Sequence, residues 1–404
     1  MSEQLKPELR FPEFDGDWGE TTFDSHYSFK PTNSLSRDKL NYEAGTVKNI
    51  HYGDIHTEFD LLFDVTIEKV PFINDDVNID NIDDENYVQK GDLVIADASE
   101  DYADIGKAIE VINTNNERLL AGLHTFLARR EDDEVAEGFF AFLLNTYKAR
   151  YEIMRIAQGT KVLGLSKNRL GEIPLYIPEP AEQQKIANFL KAIDKRIKLL
   201  KAKKDALEDY KTSIMQKLFS QEIRFKQDDG SDFPEWQEKT LSEVLDYRQP
   251  TPYLVNSTEY DDKYETPVLT AGKTFILGYT DETEGIFEEE LPTIIFDDFT
   301  TAYKYVDFRF KAKSSAMKML VKKDDTVNIK FVFEAMSRIN FPLGEHKRYW
   351  ISEFQNEKIP YPDISEQNKI SRFVENIDTK IVAIVSSIEN INDFKTACLQ
   401  KMFV

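Results

Sequence analysis

The segment Glu182–Phe219, EQQKIANFLKAIDKRIKLLKAKKDALEDYKTSIMQKLF, recurs further along the chain as Glu366–Phe403, EQNKISRFVENIDTKIVAIVSSIENINDFKTACLQKMF. The two copies align without a gap at an offset of 184 residues, and 14 of 38 positions are identical. A weaker echo upstream relates RFPEFDGDW (Arg10–Trp18) to RFKQDDGSDFPEW (Arg224–Trp236). Internal repetition of this kind indicates a duplicated architecture, in which each copy is a globular region followed by one long segment.

Both repeated segments have the apolar spacing of a long helix, with steps that alternate between three and four residues. In the first copy, where Lys204 and Lys211 interrupt the pattern, the stripe consists of Ile186, Leu190, Ile193, Ile197, Leu200, Leu207, Ile214 and Leu218. In the second, where Lys395 interrupts it, the stripe consists of Ile370, Val374, Ile377, Ile381, Ile384, Ile388, Ile391, Cys398 and Met402. The pattern predicts two helices, each about 57 Å long at 1.5 Å per residue.

Two interpretations of these helices are open: ordinary core helices inside a domain, or helices that pair with each other. We favour pairing, because a narrow apolar stripe needs a partner and globular helices are usually shorter. If the globular regions lie at opposite ends, pairing within the chain must be antiparallel. Pro178 and Pro180 precede the first helix, and Asp363 with Glu366 is predicted to form a capping box before the second.

The predicted fold class is α+β, with two mixed α/β regions joined by two long antiparallel helices that form a coiled coil with approximate two-fold symmetry. The predicted boundaries are 1–181 and 224–365 for the globular regions, and 182–223 and 366–404 for the helical segments. Strands are expected at Asp92–Ala96, Leu291–Phe296 and around Val321. Lys330–Phe333 suits a strand, although Phe331–Arg338 also suits a helix, and Phe139–Tyr151 is a further candidate helix.

Charge argues against a simple nucleic-acid-binding protein, because 51 Lys and Arg face 73 Asp and Glu, a net charge of −22. The two globular regions together carry −26 and the helical segments +4. Basic residues nevertheless cluster locally, so a basic face is compatible with an acidic protein. The single cysteine, Cys398, excludes a disulfide framework, and no apolar run approaches the ~18 residues that cross a membrane. We therefore expect a cytoplasmic protein without a membrane partner.

Motifs for catalysis are weak throughout the sequence. Ala271–Thr274 resembles the end of a phosphate-binding loop, but Pro267 stands where that loop requires glycine. Asp325 with Glu345–Lys347 fits a loose nuclease pattern, for which a surface loop is the preferred explanation. Asp297 and Asp298 suit a turn better than a metal site. The spacing of His51 and His56 does not favour zinc. We predict no catalytic residue and no metal site.

The arrangement of variable region, long helix, second variable region and second long helix resembles the specificity subunit of type I restriction-modification systems. The blocks that carry the resemblance are EQQKIANFLKAID with SIMQKLF, and EQNKISRFVENID with ACLQKMF. The entry segments RFPEFDGDW and DFPEWQEKTLSEV, and Gly159–Leu170, are also similar to that family. The resemblance extends over essentially the whole chain.

The resemblance implies that each globular region is a target-recognition domain for one half of a two-part DNA sequence. It implies double-stranded DNA, two modification (methyltransferase) subunits and restriction (translocase and nuclease) subunits as partners. It implies no cofactor in this chain, and S-adenosylmethionine, ATP and Mg²⁺ in the partner subunits. Two alternatives are a DNA-mimic inhibitor, which the 51 basic residues disfavour, and the recognition part of a fused nuclease or methyltransferase, for which the length leaves no room.

Candidate DNA contacts follow from chemistry, as loops that mix basic, hydroxyl and small side chains. In the first region they are Thr160, Lys161, Lys167, Asn168 and Arg169. In the second they are Tyr303, Lys304, Arg309, Lys311, Lys313, Ser314, Ser315, Lys318, Lys347 and Arg348. We expect the modification subunits to dock on the helix faces outside the apolar stripe.

Overall fold

The computed structural model describes residues 5–131, 134–342 and 348–404. The chain divides into two compact units, the first formed by Met1–Ala202 with Ser386–Val404 and the second by Lys203–Val385. The two long helices are α5 (Pro180–Phe219) and α8 (Ile364–Lys401). The division between units falls inside both helices, so each unit contains part of each. No helix in the described ranges is long and apolar enough to cross a membrane.

The first unit contains thirteen short strands and four short helices among its described residues. The strands are β1 (Gly19–Thr22), β2 (Tyr27–Lys30), β3 (Leu40–Asn41), β4 (Val47–Ile50), β5 (Leu62–Asp64), β6 (Phe72–Ile73), β7 (Leu93–Ala96), β8 (Ala98–Ser99), β9 (Ala108–Asn113), β10 (Arg118–Ala121), β11 (Thr125–Arg130), β12 (Leu163–Gly164) and β13 (Pro174–Ile177). The helices are α1 (Tyr52–Thr57), α2 (Phe139–Leu143), α3 (Tyr147–Ile156) and α4 (Lys167–Gly171).

The second unit contains nine strands and two short helices among its described residues. The strands are β14 (Gln237–Thr240), β15 (Leu245–Arg248), β16 (Thr266–Leu269), β17 (Ile276–Thr280), β18 (Thr293–Asp297), β19 (Tyr303–Val306), β20 (Lys311–Ala312), β21 (Met317–Lys322) and β22 (Lys358–Tyr361). The helices are α6 (Leu241–Val244) and α7 (Ile329–Met336).

The main sheets of the two units share one strand order, although their sequences have little in common. The first has the order β2-β11-β7-β9-β5, and the second has β15-β21-β18-β19. The four strands that correspond are antiparallel to one another in both sheets, and β5 of the first sheet pairs with β9 in parallel. Each unit adds a smaller sheet, β10-β4-β6-β3 in the first and β17-β16-β20 in the second. A two-stranded pair, β1-β13 or β14-β22, precedes each long helix.

The long helices pack in opposite directions inside each unit. In the first unit the start of α5 and the end of α8 share one core, through residues such as Ile186 and Met402. In the second unit the end of α5 and the start of α8 do the same, through residues such as Leu218 and Ile370. The prediction of two long antiparallel helices is therefore confirmed. The helices form because their apolar stripes are buried near both ends, Cys398 included, and half-buried in the middle.

The lysines that interrupt the heptad stripes are paired across the two helices. Lys395 of α8 lies 2.5 Å from Asp194 of α5 in the first unit. Lys211 of α5 lies 2.8 Å from Asp378 of α8 in the second. These four residues occupy corresponding positions in the 184-residue repeat. A polar pair within an apolar seam favours one register, because any other alignment leaves both charges unpaired. Lys204 instead pairs with Glu208 within its own helix.

The similarity between Arg10–Trp18 and Arg224–Trp236 has a structural explanation. The first residue of each segment is an arginine that binds the first turn of a long helix. Arg10 binds the buried Glu182 with two hydrogen bonds of 2.7 Å. Arg224 binds the buried Glu366 in the same way, at 3.2 and 2.8 Å. Glu366 is thus engaged with Arg224, and the capping box predicted from Asp363 and Glu366 is only half correct. Asp363 does accept a hydrogen bond from the Ser365 backbone N–H at 2.8 Å.

Two local predictions differ from the structure. Lys330–Phe333 is not a strand, because it belongs to helix α7, whose Asn328 cap accepts from the backbone N–H of Phe331. The helix expected over Phe139–Tyr151 is two helices, α2 and α3, because Thr146 caps a new helix start. The buried strand ahead of Asp297 and the strand at Val321 are confirmed as β18 and β21.

Candidate nucleic-acid interface

Three loops of the first unit meet at Asp97, where strand β7 ends. The Asp97 N–H donates to the carbonyl of His124, just before β11, at 3.0 Å. The N–H of Leu165 donates to the Asp97 carbonyl at 2.8 Å, which attaches the segment between α3 and α4. We call Asp97, His124 and Leu165 the first junction. Because β7 and β11 are antiparallel neighbours, these loops lie at one end of the sheet.

The second unit has the same junction with different side chains. The Asp298 N–H donates to the carbonyl of Ala316, just before β21, at 3.0 Å. The N–H of Tyr349 donates to the Asp298 carbonyl at 2.7 Å. We call Asp298, Ala316 and Tyr349 the second junction. It stands at the matching end of the matching strands, since β18 and β21 are antiparallel neighbours.

The aspartate side chains anchor the two junctions differently. Asp298 is 1% exposed, and its carboxylate lies 3.2 Å from Lys318 and accepts from the Trp350 N–H at 2.8 Å. The Asp97 carboxylate lies 3.4 Å from Nδ1 of His124. Burial raises the pKa of Asp97 above its ordinary value, and the nearby His124 and Lys167 oppose that rise. Each acid therefore positions the loops rather than facing open solvent.

The predicted contacts of the first unit all lie on the segment that the first junction attaches. Thr160 and Lys161 are exposed in the loop between α3 and β12. Lys167, at the start of α4, lies over the rings of Phe29 and Phe126 at 5.9 and 5.4 Å. Asn168 and Arg169, the next two residues of α4, are exposed. With the Gln158 amide oriented to accept, its oxygen lies 2.6 and 3.1 Å from the Arg169 guanidinium nitrogens. Whether any of them contacts DNA stays a prediction.

Part of the second set lies around the second junction. Lys313, Ser314 and Ser315 form the loop before β21, and Ser314 Oγ accepts from the Ala316 N–H at 3.1 Å. The Arg348 guanidinium lies 5.8 Å from the ring centre of Phe299 in the β18–β19 turn.

Two further members, Tyr303 and Lys304, begin β19 at the same end of the sheet. Lys304 is exposed, whereas the partly buried Tyr303 packs against Phe333. Burial raises the pKa of Tyr303 to about 12, so it remains a neutral phenol. Lys347 lies outside the described residues.

Three further predicted contacts are paired with acids. Lys311 is 2% exposed, lies 2.9 Å from Glu282 and donates to the carbonyl of Glu284 at 2.5 Å. Lys318 is likewise 2% exposed and bound to Asp298. Arg309 lies beyond the opposite end of β19 and pairs with Glu265 at 2.9 Å. Sequence alone did not separate these cations from exposed ones, because burial depends on strands that are distant in the chain.

The rejected motifs have ordinary structural roles. Ala271–Thr274 is part of the turn between β16 and β17, where Thr270 Oγ1 donates to the Thr274 carbonyl at 2.7 Å. Asp297 accepts from the backbone N–H groups of Phe299 and Thr300 at 3.0 and 2.8 Å, as a turn residue does. Asp325 pairs with Lys322, and Glu345–Lys347 lies outside the described residues. Within the described ranges, no group of three or more His, Cys, Asp or Glu is placed to hold a metal.

Sequence reasoning missed Asp97, His124 and Asp298 as the residues that organise these surfaces. A signal was present, since an aspartate directly follows each apolar run, in Leu-Val-Ile-Ala-Asp97 and Thr-Ile-Ile-Phe-Asp-Asp298. An acid at the end of a buried strand usually indicates only a turn. Its meaning here depends on the loops that converge on it, which the sequence does not place.

A duplicated sheet with the same junction of loops at one end defines a protein built from two related domains. The chain belongs to the family described as the type I restriction modification DNA specificity domain, whose model matches residues 46–209 and 234–392. Both matches include a globular region and most of the long helix that follows it.

Individual relatives agree with this assignment. The chain is 56% identical over 126 residues to the specificity subunit of the Escherichia coli type I restriction enzyme EcoR124I/EcoR124II, a match that spans 30% of this chain and 31% of that one. It is 23% identical over 385 residues to the putative type I restriction enzyme MjaX specificity subunit of Methanocaldococcus jannaschii, covering 87% and 83%. The crystal structure of a type I S subunit from M. genitalium superposes with a TM-score of 0.63 at 16% identity, over 99% of both chains.

Proposed function

We propose that this chain is a DNA-specificity subunit that recognises a two-part, asymmetric sequence and directs modification and restriction subunits to it. The observation that carries the proposal is the repeated junction, with the same backbone hydrogen bonds around Asp97 and Asp298. The side chains around the two junctions differ, because the first unit presents Lys161, Lys167 and Arg169. The other presents Lys313 and Arg348. Two domains that share a backbone framework and differ in their exposed side chains are suited to two half-sites of different sequence.

Phosphate and base contacts are assigned to the exposed members of the predicted sets. Lys161, Arg169, Lys304 and Arg348 have the charge to meet phosphates, and the neighbouring Thr160, Asn168 and Ser315 have the hydrogen-bonding groups to meet base edges. Lys311 and Lys318 are left out of this proposal. Their ammonium groups are buried and paired, and exposing them would leave the carboxylates of Glu282 and Asp298 without their lysine partners.

The chain performs no chemistry of its own in this proposal. The modification subunits bind S-adenosylmethionine and methylate adenine, and the restriction subunits use ATP and Mg²⁺. The family relationship supports this division of labour. What this chain contributes is the position of the DNA relative to those partners.

Two matching aromatic clusters on the helices support equivalent docking sites for two identical subunits. In the first unit Phe189 of α5 contacts Phe11 and Phe394, at 5.8 and 6.3 Å between ring centres. In the second unit Phe373 of α8 contacts Phe225 and Tyr210, at 5.9 and 6.4 Å. Phe394 and Tyr210 are 53% and 47% exposed and occupy corresponding repeat positions. Exposed aromatic groups of this kind are enriched in protein interfaces.

The test is to co-express the chain with a modification subunit and map methylated adenines across a genome. We expect methylation at one motif made of two different half-sites separated by a fixed, unspecified gap. The modification subunit expressed alone is the control and is expected to leave that motif unmethylated. Methylation at a continuous or palindromic motif would contradict the proposal, because two different recognition surfaces cannot produce it.

A further inference from the structure

A cluster of aromatic side chains in the first unit lies beside the proposed DNA surface and contains none of the basic residues between α3 and α4. Helix α1 packs against β7, and the ring of its first residue, Tyr52, is surrounded by three of the five histidines. The ring centres of His51, His56 and His124 lie 4.7, 5.6 and 5.3 Å from that of Tyr52. We call these four residues the histidine–tyrosine cluster. Since His124 also belongs to the first junction, the cluster adjoins the proposed DNA surface.

The histidines of the cluster differ in exposure. His51 is 7% exposed, and its Nδ1 accepts from the Gly53 N–H at 3.1 Å as the cap of α1. Burial lowers the pKa of His51 and of His56 below the ordinary value, so both remain neutral packing partners of Tyr52 near pH 7. The side chain of His124 is 49% exposed. Of the three rings around Tyr52, His124 is therefore the one that presents the most surface to a ligand.

The backbone of His124 has an uncommon conformation, with φ of +53°. Residues other than glycine adopt this left-handed backbone region at a cost in conformational energy, and histidine and asparagine tolerate it better than most. The conformation places the ring between Tyr52, at 5.3 Å between ring centres, and the Asp97 carboxylate, at 3.4 Å from Nδ1. The corresponding residue of the second junction, Ala316, has no ring and no positive φ. The histidine is therefore a feature of one domain, and the shared framework does not require it.

The hydrogen-bonding state of the ring follows from its partner. The Asp97 carboxylate only accepts, so it favours the tautomer with the proton on Nδ1, and in that tautomer Nε2 is an acceptor. In the major groove, adenine N6 and cytosine N4 are the base groups that donate a hydrogen bond. We propose that His124 is a specificity-determining residue of the first domain, which accepts a hydrogen bond from the exocyclic amino group of adenine or cytosine. This inference rests on the proposed function.

Asp97 and Tyr52 are positioning residues in this scheme. Asp97 holds the tautomer and the backbone of the loop, and Tyr52 limits rotation of the ring. Next to them, Arg37 donates to both oxygens of the buried Asp54 at 2.9 and 2.7 Å and lies 3.3 Å from His51 Nδ1. This ion pair attaches α1 to the segment that precedes β3. A base contact gains selectivity from such restraint, because little rotational freedom is lost on binding.

The experiment uses the full chain in complex with its modification subunits and compares methylation motifs. His124→Gly keeps the positive φ and removes the ring. We expect one position of one half-site to lose its preference for adenine or cytosine, by roughly 5- to 100-fold in relative methylation rate. The other half-site is expected to be unchanged. His124→Asn also keeps the backbone conformation, and it should shift that position toward adenine, which asparagine binds through two hydrogen bonds.

His26→Asn is the matched control. His26 precedes β2, at the opposite end of the β2–β11 pair from His124, and this substitution is expected to leave the whole motif unchanged. An unchanged motif and rate in both His124 variants would overturn the inference, and so would a change confined to the second half-site. If the wild-type complex itself produced no two-part motif, the proposed function would have failed instead. Should one variant be unstable in thermal unfolding, the other decides the question.

Discussion

The carboxylate of Glu110 on β9 is fully buried in the first unit, and among the described residues its hydrogen-bond donors are backbone N–H groups. It accepts from the N–H of Gly138 at 2.6 Å and of Ala141 at 3.4 Å, both at the start of α2. Burial raises its pKa from 4.5 to about 7, although these bonds and Lys191 oppose the rise. A single residue thus makes the stability of this unit depend on pH near neutrality.

We predict that the stability of the first unit in Glu110→Gln, compared with the wild type, increases as the pH rises. The folded wild type holds the proton more tightly than the unfolded chain does, so its free energy of unfolding falls between about pH 4.5 and pH 7. Glutamine does not titrate, so the advantage of the variant grows by up to roughly 3 kcal/mol across that window. Hydrogen–deuterium exchange of β9 at a series of pH values measures it. Glu20→Gln on exposed β1 is the control, and a pH-independent difference would refute the prediction.

At the scale of elements, the long helices owe their existence to local periodicity and their alignment to a few polar pairs. Asp194–Lys395 and Lys211–Asp378 are equivalent across the repeat and connect α5 with α8 in each unit. Two residues of α7 extend the second pair. Lys330 lies 2.8 Å from Asp378, and Glu334 lies 3.3 Å from Lys211. Lys395 instead lies over the ring of Phe142 at 5.6 Å. The two pairs therefore share a register but differ in their surroundings.

A charge swap tests this account of the register. Asp194→Lys alone places two lysines together, and we expect it to lower the free energy of unfolding by about 1–3 kcal/mol, since the pair is only partly buried. Adding Lys395→Asp restores opposite charges and is expected to recover at least half of that loss. A double-mutant cycle by chemical denaturation measures the coupling. The Lys204–Glu208 pair within α5 is the control, and its coupling energy is expected to be about 0.3–0.5 kcal/mol. Purely additive losses would contradict the assigned pairing.

At the scale of the whole molecule, the charge of −22 is the property that most affects DNA binding. Many cations of the described residues are neutralised by acids of the same unit, as Arg129 is by Asp92 and Arg248 by Glu290. Others, such as Lys161 and Lys304, have no acidic partner within 4 Å in the described part of the chain, but over the whole sequence 73 acids face only 51 Lys and Arg. Phosphate neutralisation usually supplies much of the affinity for DNA. We infer that affinity depends on partner subunits.

We therefore predict that the isolated chain binds its two-part duplex weakly at about 0.15 M salt, and that added modification subunit makes binding tight. Fluorescence anisotropy with a labelled duplex measures both states. Phe394→Lys combined with Tyr210→Lys should abolish the tight binding seen with added modification subunit and leave the weak binding of the isolated chain unchanged. The reason is that both rings belong to the aromatic clusters proposed as docking sites. Lys217→Glu near the end of α5, on an exposed side chain, is the control for a change of helix charge. Tight binding by the isolated chain would show that the acidic balance does not limit affinity.

The sequence by itself determined the duplicated plan, the two long helices and their antiparallel pairing. Apolar spacing is a local property, and a stripe sustained for five heptads leaves few alternatives to pairing with its copy. The echo at Arg10 and Arg224 was visible, but its purpose was not, because each arginine binds a glutamate more than a hundred residues away.

Only the tertiary structure decided which polar residues share a surface. It brought Asp97 to His124 and Asp298 to Ala316, and it buried Lys311 and Lys318 among acids that no spacing rule connects to them. It also revealed one strand order beneath two dissimilar sequences, since many apolar sequences satisfy the same sheet. Helix periodicity is written in neighbouring residues, whereas a binding surface is made by strands and loops that meet from distant parts of the chain.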